Sequence, residues 1–389
     1  MRNAQKLTWY EFFAGGGMAR LGLGERWTCL FANEWCEKKT AAYVKHFGVS
    51  PELREADVAD LTIRDLPGVP DLVWASFPCQ DLSLAGSGAG LRGERSGTFR
   101  PFWRLILDLK RDGRAPKAVV LENVVGAITS HNGEDFRTIL RALTEAGYHV
   151  GPMVIDAVRF VPQSRPRLFV LAVQNDVPVS KDLAPMWPSI TWHPRALMNA
   201  YARLPRAIQS KWLWWDMPIP TKPVSKMSTL MQKIPTGVHW HTSTQTRALL
   251  RMMSDVNRRK VREVMSRKKP TYGTIYKRTR PAQGGGKIQR AEVRFDEISG
   301  CLRTPVGGSS RQTVLLVDGR TVKSRLLSPR EAARLMGVPD CYPVPANYNS
   351  SYHLFGDGVA VPVVRWLETH LLWPLLSSGS EGALKANVA

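Results

Sequence analysis

The stretch "LTWYEFFAGGGMARLGLG" (Leu7–Gly24) sets the reading of the chain. An apolar run enters three glycines, and an amphipathic segment follows. That order predicts a buried strand, a turn needing backbone freedom and a helix opening behind it. The pattern then repeats. "TCLFANE" (Thr28–Glu34) predicts a strand and "EKKTAAYVKHFG" (Glu37–Gly48) a helix. "DLVWASF" (Asp71–Phe77), "KAVVLEN" (Lys117–Asn123) and "RLFVLAV" (Arg167–Val173) predict further strands. Between them, Phe99, Phe102, Trp103, Ile106 and Leu109 recur at helical spacing, with Pro101 tolerated in the first turn. Phe136, Ile139, Leu140 and Leu143 mark another helix face, stopped by Gly147. Such alternation predicts an α/β fold, a doubly wound sheet with helices on both faces.

The regularity lapses over residues 177–320. Prolines and tryptophans recur there, and basic residues crowd into "NRRKVR" (Asn257–Arg262), "SRKKP" (Ser266–Pro270) and "YKRTR" (Tyr276–Arg280). This predicts a second, smaller and irregular domain. "LLSPREAARLMGVPD" (Leu326–Asp340) restores order, with Ser328 and Glu331 at capping-box spacing and Pro329 at the first helical position. "VPVVRWLETHLLWPLL" (Val361–Leu376) predicts a last helix, and 377–389 a disordered tail. The expected domains are therefore a discontinuous 1–176 plus 321–376, and an inserted 177–320.

Composition narrows the class of partner. Lys and Arg number 54 against 33 Asp and Glu, a net charge of +21, which favours a polyanion and most simply nucleic acid. A basic run is also what a solvated helix face looks like. No apolar stretch approaches a membrane span, and no secretory signal region precedes Gly15, so a cytoplasmic location is expected. The five cysteines are too scattered for a paired metal or redox site, so free thiols and no metal are expected.

Chemistry-bearing residues gather at the predicted strand ends. The glycine cluster lacks the third glycine of a dinucleotide fingerprint, since Arg20 occupies its place. Glu34 ends the second strand, where an acid can hold ribose hydroxyls, and Trp35 beside it can stack on a purine. A ligand with ribose and adenine but no required phosphate is S-adenosylmethionine; a glycine turn with no ligand is the plainer alternative. "SFPCQDLSLAG" (Ser76–Gly86) presents Cys79 after a strand, as a nucleophile or as a small residue filling the strand's mouth. "LENV" (Leu121–Val124) sets a carboxyl beside an amide, as a helix-capping acid also would. In "VPQSRPRLFV" (Val161–Val170), Gln163, Arg165 and Arg167 precede a strand, where alternate arginines meet phosphate or a carbonyl, or simply face solvent.

Their order is distinctive. The glycine cluster, Glu34-Trp35, Pro78-Cys79-Gln80, Glu122-Asn123-Val124 and Gln163-x-Arg165-x-Arg167 resemble, in this succession, the DNA (cytosine-5) methyltransferases. The resemblance also takes in Asp57-Val58, "SGTF" (Ser96–Phe99), the Leu326–Asp340 block and "FGDGVAVPVV" (Phe355–Val364). It implies a Rossmann-like, doubly wound mixed sheet of the class I methyltransferase kind, with 177–320 as a target-recognition domain.

The resemblance also implies roles. Cys79 adds to C6 of a flipped-out cytosine, Glu122 pairs with its N3 edge, and Asn123 braces the loop. Arg167 holds O2, and Arg165 lies close to the backbone phosphate. Phe13, Gly15, Gly17, Glu34, Trp35, Asp57, Val58, Pro78, Asp357 and Val359 surround S-adenosylmethionine, so the last helix folds back against the first strand. Gln80, Ser83, Gln163, Leu302, Arg303, Gly307 and Gly308 face double-stranded DNA. A cytoplasmic monomer acting on one short sequence follows, whether bacterial or phage-encoded. The chain departs from the family's pattern at Asp357, where Asn is usual, at Arg159-Phe160-Val161, and at Cys301. Cys301 also leaves transfer RNA as an alternative substrate, and a DNA binder without catalysis is the reading from another class. A thiol hydrolase would need a histidine partner for Cys79, and no histidine sits in a comparable motif.

Overall fold

The computed structural model describes residues 6–77, 98–222, 224–267, 269–281, 285–303 and 311–377. Pro78, Cys79, Gln80, Ser83, Gly307, Gly308 and all but the first residue of the expected tail lie outside them. The chain forms two compact units. The first comprises residues 1–155, 166–221 and 361–389, the second 156–165 and 222–360.

In the first unit, β1 (Leu7–Phe12), α1 (Met18–Leu23), β2 (Trp27–Glu34), α2 (Glu37–Phe47), β3 (Leu53–Glu55), β4 (Leu72–Ala75), α3 (Phe99–Arg111), β5 (Ala118–Val124), α4 (Glu134–Glu145), β6 (Tyr148–Asp156) and β7 (Pro166–Gln174) alternate. They build one seven-stranded sheet in the order β3-β2-β1-β4-β5-β7-β6. β1, β2, β3, β4 and β5 pair in parallel, and β7 runs antiparallel to β5. The central strand β4 is buried on both faces, as a helix-covered parallel sheet demands. The stripe Phe99, Phe102, Trp103, Ile106 and Leu109 of α3 and the Phe136–Leu143 face of α4 enter the same core.

Two further segments complete this unit. Residues 189–215, with α5 (Arg195–Ala202) and α6 (Arg206–Gln209), line the outer strand β6. Val150 N–H donates to Lys211 O (2.9 Å), Leu213 N–H to Val150 O (2.8 Å) and Val154 N–H to Trp192 O (2.8 Å). Trp215 lies so close to Gly151 that a Cβ there would stand 2.1 Å from its indole nitrogen. The last helix is the other addition.

The second unit contains α7 (Met227–Leu230), α8 (Ser243–Arg251), α9 (Asp255–Met265), β8 (Thr271–Pro281), β9 (Lys287–Arg294), β10 (Thr313–Asp318), β11 (Thr321–Leu326), α10 (Pro329–Leu335) and α11 (Tyr348–Asp357). Its four strands form an antiparallel sheet, β11-β10-β8-β9. Leu249, Met253, Val261 and Val264 pack on Ile275, Val293, Leu315 and Val317 to make its core. At the start of α10 the predicted capping box forms, and the Glu331 carboxylate also takes both Nη groups of the fully buried Arg325 at 2.7 Å. The last helix, α12 (Val361–Leu367), returns to the first unit.

Three expectations change here. The region expected to be irregular holds an antiparallel sheet. The expected limits 177 and 321 shift as well. Residues 177–221 join the first unit because they supply hydrogen bonds to the β6 edge, and 321–360 join the second because β11 completes its sheet. Finally, α12 folds back on α1 rather than on the first strand: Arg365 donates to Leu21 O, and a Cβ on Gly22 would meet Val364 at 2.3 Å.

Candidate active site

Parallel pairing brings the carboxyl ends of β1, β2, β4 and β5 to one edge of the first sheet, where ligands meet open α/β sheets. Around the end of β1 the backbone turns left-handed three times in five residues, at Phe13 (φ 59°), Gly15 (58°) and Gly17 (76°). Gly17 has a steric reason to be glycine, since a Cβ would come within 2.3 Å of the Phe47 ring. Gly15 has the opposite surroundings: among the described residues, a Cβ there would meet no atom within 4 Å, which leaves its backbone open on that side.

Glu34, buried at the end of β2, organises this turn. Its Oε2 accepts Gly15 N–H at 2.8 Å, and its Oε1 accepts the N–H groups of Trp35 (3.1 Å) and Cys36 (3.0 Å) as α2 begins. A carboxylate offers about four acceptor positions, of which these bonds, among the described residues, take three. The Trp35 ring beside it is 68% exposed, an open stacking face. Asp57 is exposed, with Oδ1 accepting Ala59 N–H at 2.8 Å. Val58, by contrast, is buried among Phe31, Leu61 and Leu66, so its side chain packs the core and only its backbone is left for a ligand.

The ends of β5 and β7 meet in register, Val124 opposite Arg167. Glu122 Oε1 stands 3.2 Å from Arg167 Nε, with side chains only 7% and 15% exposed. Asn123 accepts Val124 N–H through Oδ1 (2.8 Å) and extends Nδ2 toward Phe77 O at 3.5 Å. Phe77 is the last described residue before the Pro78-Cys79 loop. The acid, its arginine and the amide are thus gathered at the strand that neighbours β4, whose continuation carries Cys79.

Gln163 and Arg165 take different positions from those expected. Gln163 is wholly buried and Arg165 is 1% exposed, so neither has an open face for DNA or phosphate. Gln163 Nε2 donates to Leu335 O (2.7 Å), and its Oε1 accepts Leu302 N–H (2.9 Å). Arg165 donates to Leu302 O (2.9 Å), Gly356 O (2.8 Å) and Gly358 O (2.6 Å). The alternation argument fails here because β7 begins only at Pro166: Arg165 belongs to the loop before it and to the second unit, Arg167 to the strand and the first. Leu302 (1% exposed) and Val359 (4%) are likewise buried in the second unit, while Arg303 is exposed. Asp357 ends α11 in that unit.

Some residues of consequence escape a sequence reading. Asp156 accepts the backbone N–H groups of Val158 and Arg165 (3.1 and 2.7 Å) and so shapes the loop before β7. Glu11, on β1, is 2% exposed, and burial pushes its pKa up to about 8. A lone acid inside the apolar "WYEFF" was the available signal. Burial likewise raises the Cys29 thiol to about 12, which makes it a poor nucleophile at neutral pH.

The second unit carries the basic surface. β10 pairs with β8 only over Thr271–Ile275, and beyond that β8 and β9 continue as a two-stranded ribbon. Arg278, Arg280 and Lys287 are exposed on it, and Arg258, Arg259, Lys260 and Arg262 on α9. Among the described residues no cluster of three or more His, Cys, Asp or Glu could hold a metal, and no helix is long and apolar enough to cross a membrane.

Residues 7–373 match the family described as C-5 cytosine-specific DNA methylase. The type II methyltransferase M.BsuFI of Bacillus subtilis is 27% identical over 92% of this chain and 71% of its own length. M.HpaII of Haemophilus parainfluenzae is 26% identical (93% and 88%), and M.HhaI of Haemophilus parahaemolyticus 24% (93% of each). Among solved structures, the fold is similar to the Dnmt2 methyltransferase of S. pombe, with a TM-score of 0.57, 17% identity and coverage of 95% and 99%. The Entamoeba histolytica methyltransferase EhMeth gives 0.59 at 13% identity, covering 96% and 99%.

Proposed function

Because the chain belongs to the C-5 cytosine-specific DNA methylase family and methylates DNA at cytosine C5, we propose that Cys79, Glu122 and Arg167 perform the transfer on a cytosine turned out of double-stranded DNA. The buried Glu122–Arg167 pair at the end of β5 carries this reading. Cytosine C5 is a weak nucleophile. The Cys79 thiolate adds to C6, the C5=C6 π electrons shift to make a C4=C5 enamine as N3 takes a proton, and C5 gains the electron density to attack a methyl carbon, whose bond to its sulfonium sulfur breaks. Glu122 shares a proton with N3, where charge builds up as the thiolate adds, and Arg167 fixes the Glu122 carboxylate while reaching for O2. Loss of the C5 proton then expels Cys79 and restores the aromatic ring. The target leaves the duplex because C6 cannot be reached inside the stack.

S-adenosylmethionine, the family's methyl donor, supplies an electrophilic methyl on sulfonium. The residues fit it: among the described residues there is open space against Gly15, the Glu34 carboxylate is placed to accept a ribose hydroxyl, and the exposed Trp35 ring offers a face for adenine. Asp57 offers a carboxylate at the same sheet edge. The α9 surface and the β8–β9 ribbon suit the phosphate backbone and a groove, and make the second unit the target-recognition unit. The relatives named as type II methyltransferases support one short target sequence and a modification role beside a restriction enzyme.

Methylome sequencing of a plasmid expressing the wild type, beside one expressing Cys79→Ala, tests this. Methylated cytosine in one short motif is expected in the first and none in the second. Marks surviving in Cys79→Ala would overturn the assignment. Unmarked DNA together with methylated transfer RNA would move the substrate to RNA.

A further inference from the structure

We propose that the outer surface of α8 and α9 holds a second segment of double-stranded DNA by its phosphates, apart from the segment that carries the target cytosine. The inference rests on the reading that the β8–β9 ribbon meets the target duplex. Both surfaces belong to the second unit, and its own sheet separates them. Alternation along β8 sends Ile275 to one face and Tyr276 to the other. Ile275 lies in the core that α8 and α9 cover, with Leu249, Val261 and Val264. Tyr276, on the reverse, donates its hydroxyl to Cys301 O (3.2 Å), and the Arg278 guanidinium stands 5.5 Å from its ring. That face therefore carries the ribbon's arginines together with the stretch leading to exposed Arg303. The sheet and a helix layer about 10 Å thick lie between it and the outside of α9. Duplex DNA stays stiff over about 150 bp, so one short stretch does not fold back around the sheet to meet both surfaces.

Charge says what the outer surface takes. From Ser243 to Lys269 the sequence has nine Lys or Arg against two acids. Val261 and Val264 face inward from α9, which leaves Arg259 and Arg262 on its far side. Thr246 and Leu249 face inward from α8, with Arg247 and Arg251 outward. Arg247 and Arg251 stand four residues apart, as do Arg258 and Arg262, a spacing at which like charges on a helix repel. Among the described residues, the one carboxylate paired with this group is Asp255, 3.0 Å from Arg258. The ribbon is balanced differently: Arg278 and Arg280 share Glu292, and Arg294 has Asp296. A surface whose repulsion is left uncompensated within the chain gains most from an anion supplied from outside. Arginines spread along two helices fit a repeating phosphate backbone and need no base contact. One molecule then bridges two duplexes.

The test uses the full-length protein and two duplexes of about 20 bp, one with a donor dye and the motif found by methylome sequencing, the other with an acceptor dye and no motif. In the wild type, energy transfer and a sedimenting species of one protein with two duplexes are expected. Arg247→Ser combined with Arg251→Ser should weaken the second duplex about tenfold or more and flatten its salt slope by about 2, while binding and methylation of the motif duplex alone change by less than about twofold. Arg259→Ser with Arg262→Ser should weaken the second duplex more than the first, and Arg278→Ser with Arg280→Ser the first more than the second. A wild type that saturates at one duplex overturns the inference, as does a second duplex indifferent to the charges of α8 and α9, or equal losses for both duplexes. Transfer RNA displacing the second duplex at lower concentration than unlabelled DNA does would reassign the surface to RNA and overturn it too. A wild type that binds no duplex would instead sink the underlying reading of the ribbon.

Discussion

Glu122 and Arg167 show how strongly two side chains can depend on each other when both are buried. Glu122→Gln keeps the shape but not the charge that draws a proton toward N3. It should lower kcat by about 100-fold or more while cofactor affinity holds, as single-turnover methylation and calorimetry would show. Arg167→Ala strands Glu122 without its guanidinium, and a loss of about 3 kcal/mol in denaturant unfolding is expected. Glu11 gives a pH signature. Its folded pKa of about 8 lies above the ordinary carboxylate value of 4.5, so the folded protein holds a proton that the unfolded chain has released. Its contribution to stability therefore falls as pH rises from 4.5 to about 8, and is level above that. Thermal melts across this range should show Glu11→Gln losing that slope and gaining on the wild type most near pH 8. The motif order pointed to Glu122 and Arg167 together, and the two stand 3.2 Å apart, while Cys79 lies outside the described residues. The expected DNA and phosphate contacts of Gln163 and Arg165 were not legible as burial, because polar residues before a strand give no sign that both are enclosed by distant segments.

Elements were legible where burial was simple. β1, β2, β4, β5 and β7 are apolar runs bounded by turn residues, and α3 and α4 show one clean face each. β6 was hidden because Gly151 and Pro152 interrupt "YHVGPMVID" and read as a turn. Proline is tolerated there because β6 is the outermost strand. β8 and β9 were hidden by charge, since a cationic ribbon exposed on both faces shows no apolar alternation beyond Ile275. The aromatic stretch around Trp192 and Trp212–Trp215 looked like the start of a new domain, yet it closes the β6 edge, the part of a sheet most prone to unwanted pairing. Gly151→Ala would drive a methyl into Trp215. A loss of about 1–3 kcal/mol is expected in thermal or chaotrope unfolding, together with faster aggregation on heating as the cover lifts from β6.

For the whole molecule, the net charge of +21 makes DNA affinity fall with salt, by an amount set by the number of phosphates neutralised. If about six phosphates are neutralised, log K should fall with log salt at a slope of roughly −5, and removing Arg278 and Arg280 together should flatten it by about 2. Fluorescence anisotropy on a labelled duplex at several salt concentrations reads both numbers. Chain topology has a different reach. The helix α1 rests against α12, and Arg26 finds its buried partner Glu368 342 positions later. A ribosome adding roughly 5–20 residues each second needs on the order of half a minute to bridge that interval. Throughout it, the nascent first sheet waits with one flank of α1 bare, a natural stopping place for a chaperone. Premature termination anywhere before Val361 would release a polypeptide that quality control can recognise by that flank, so a cell is spared half-made methylases loose on its chromosome.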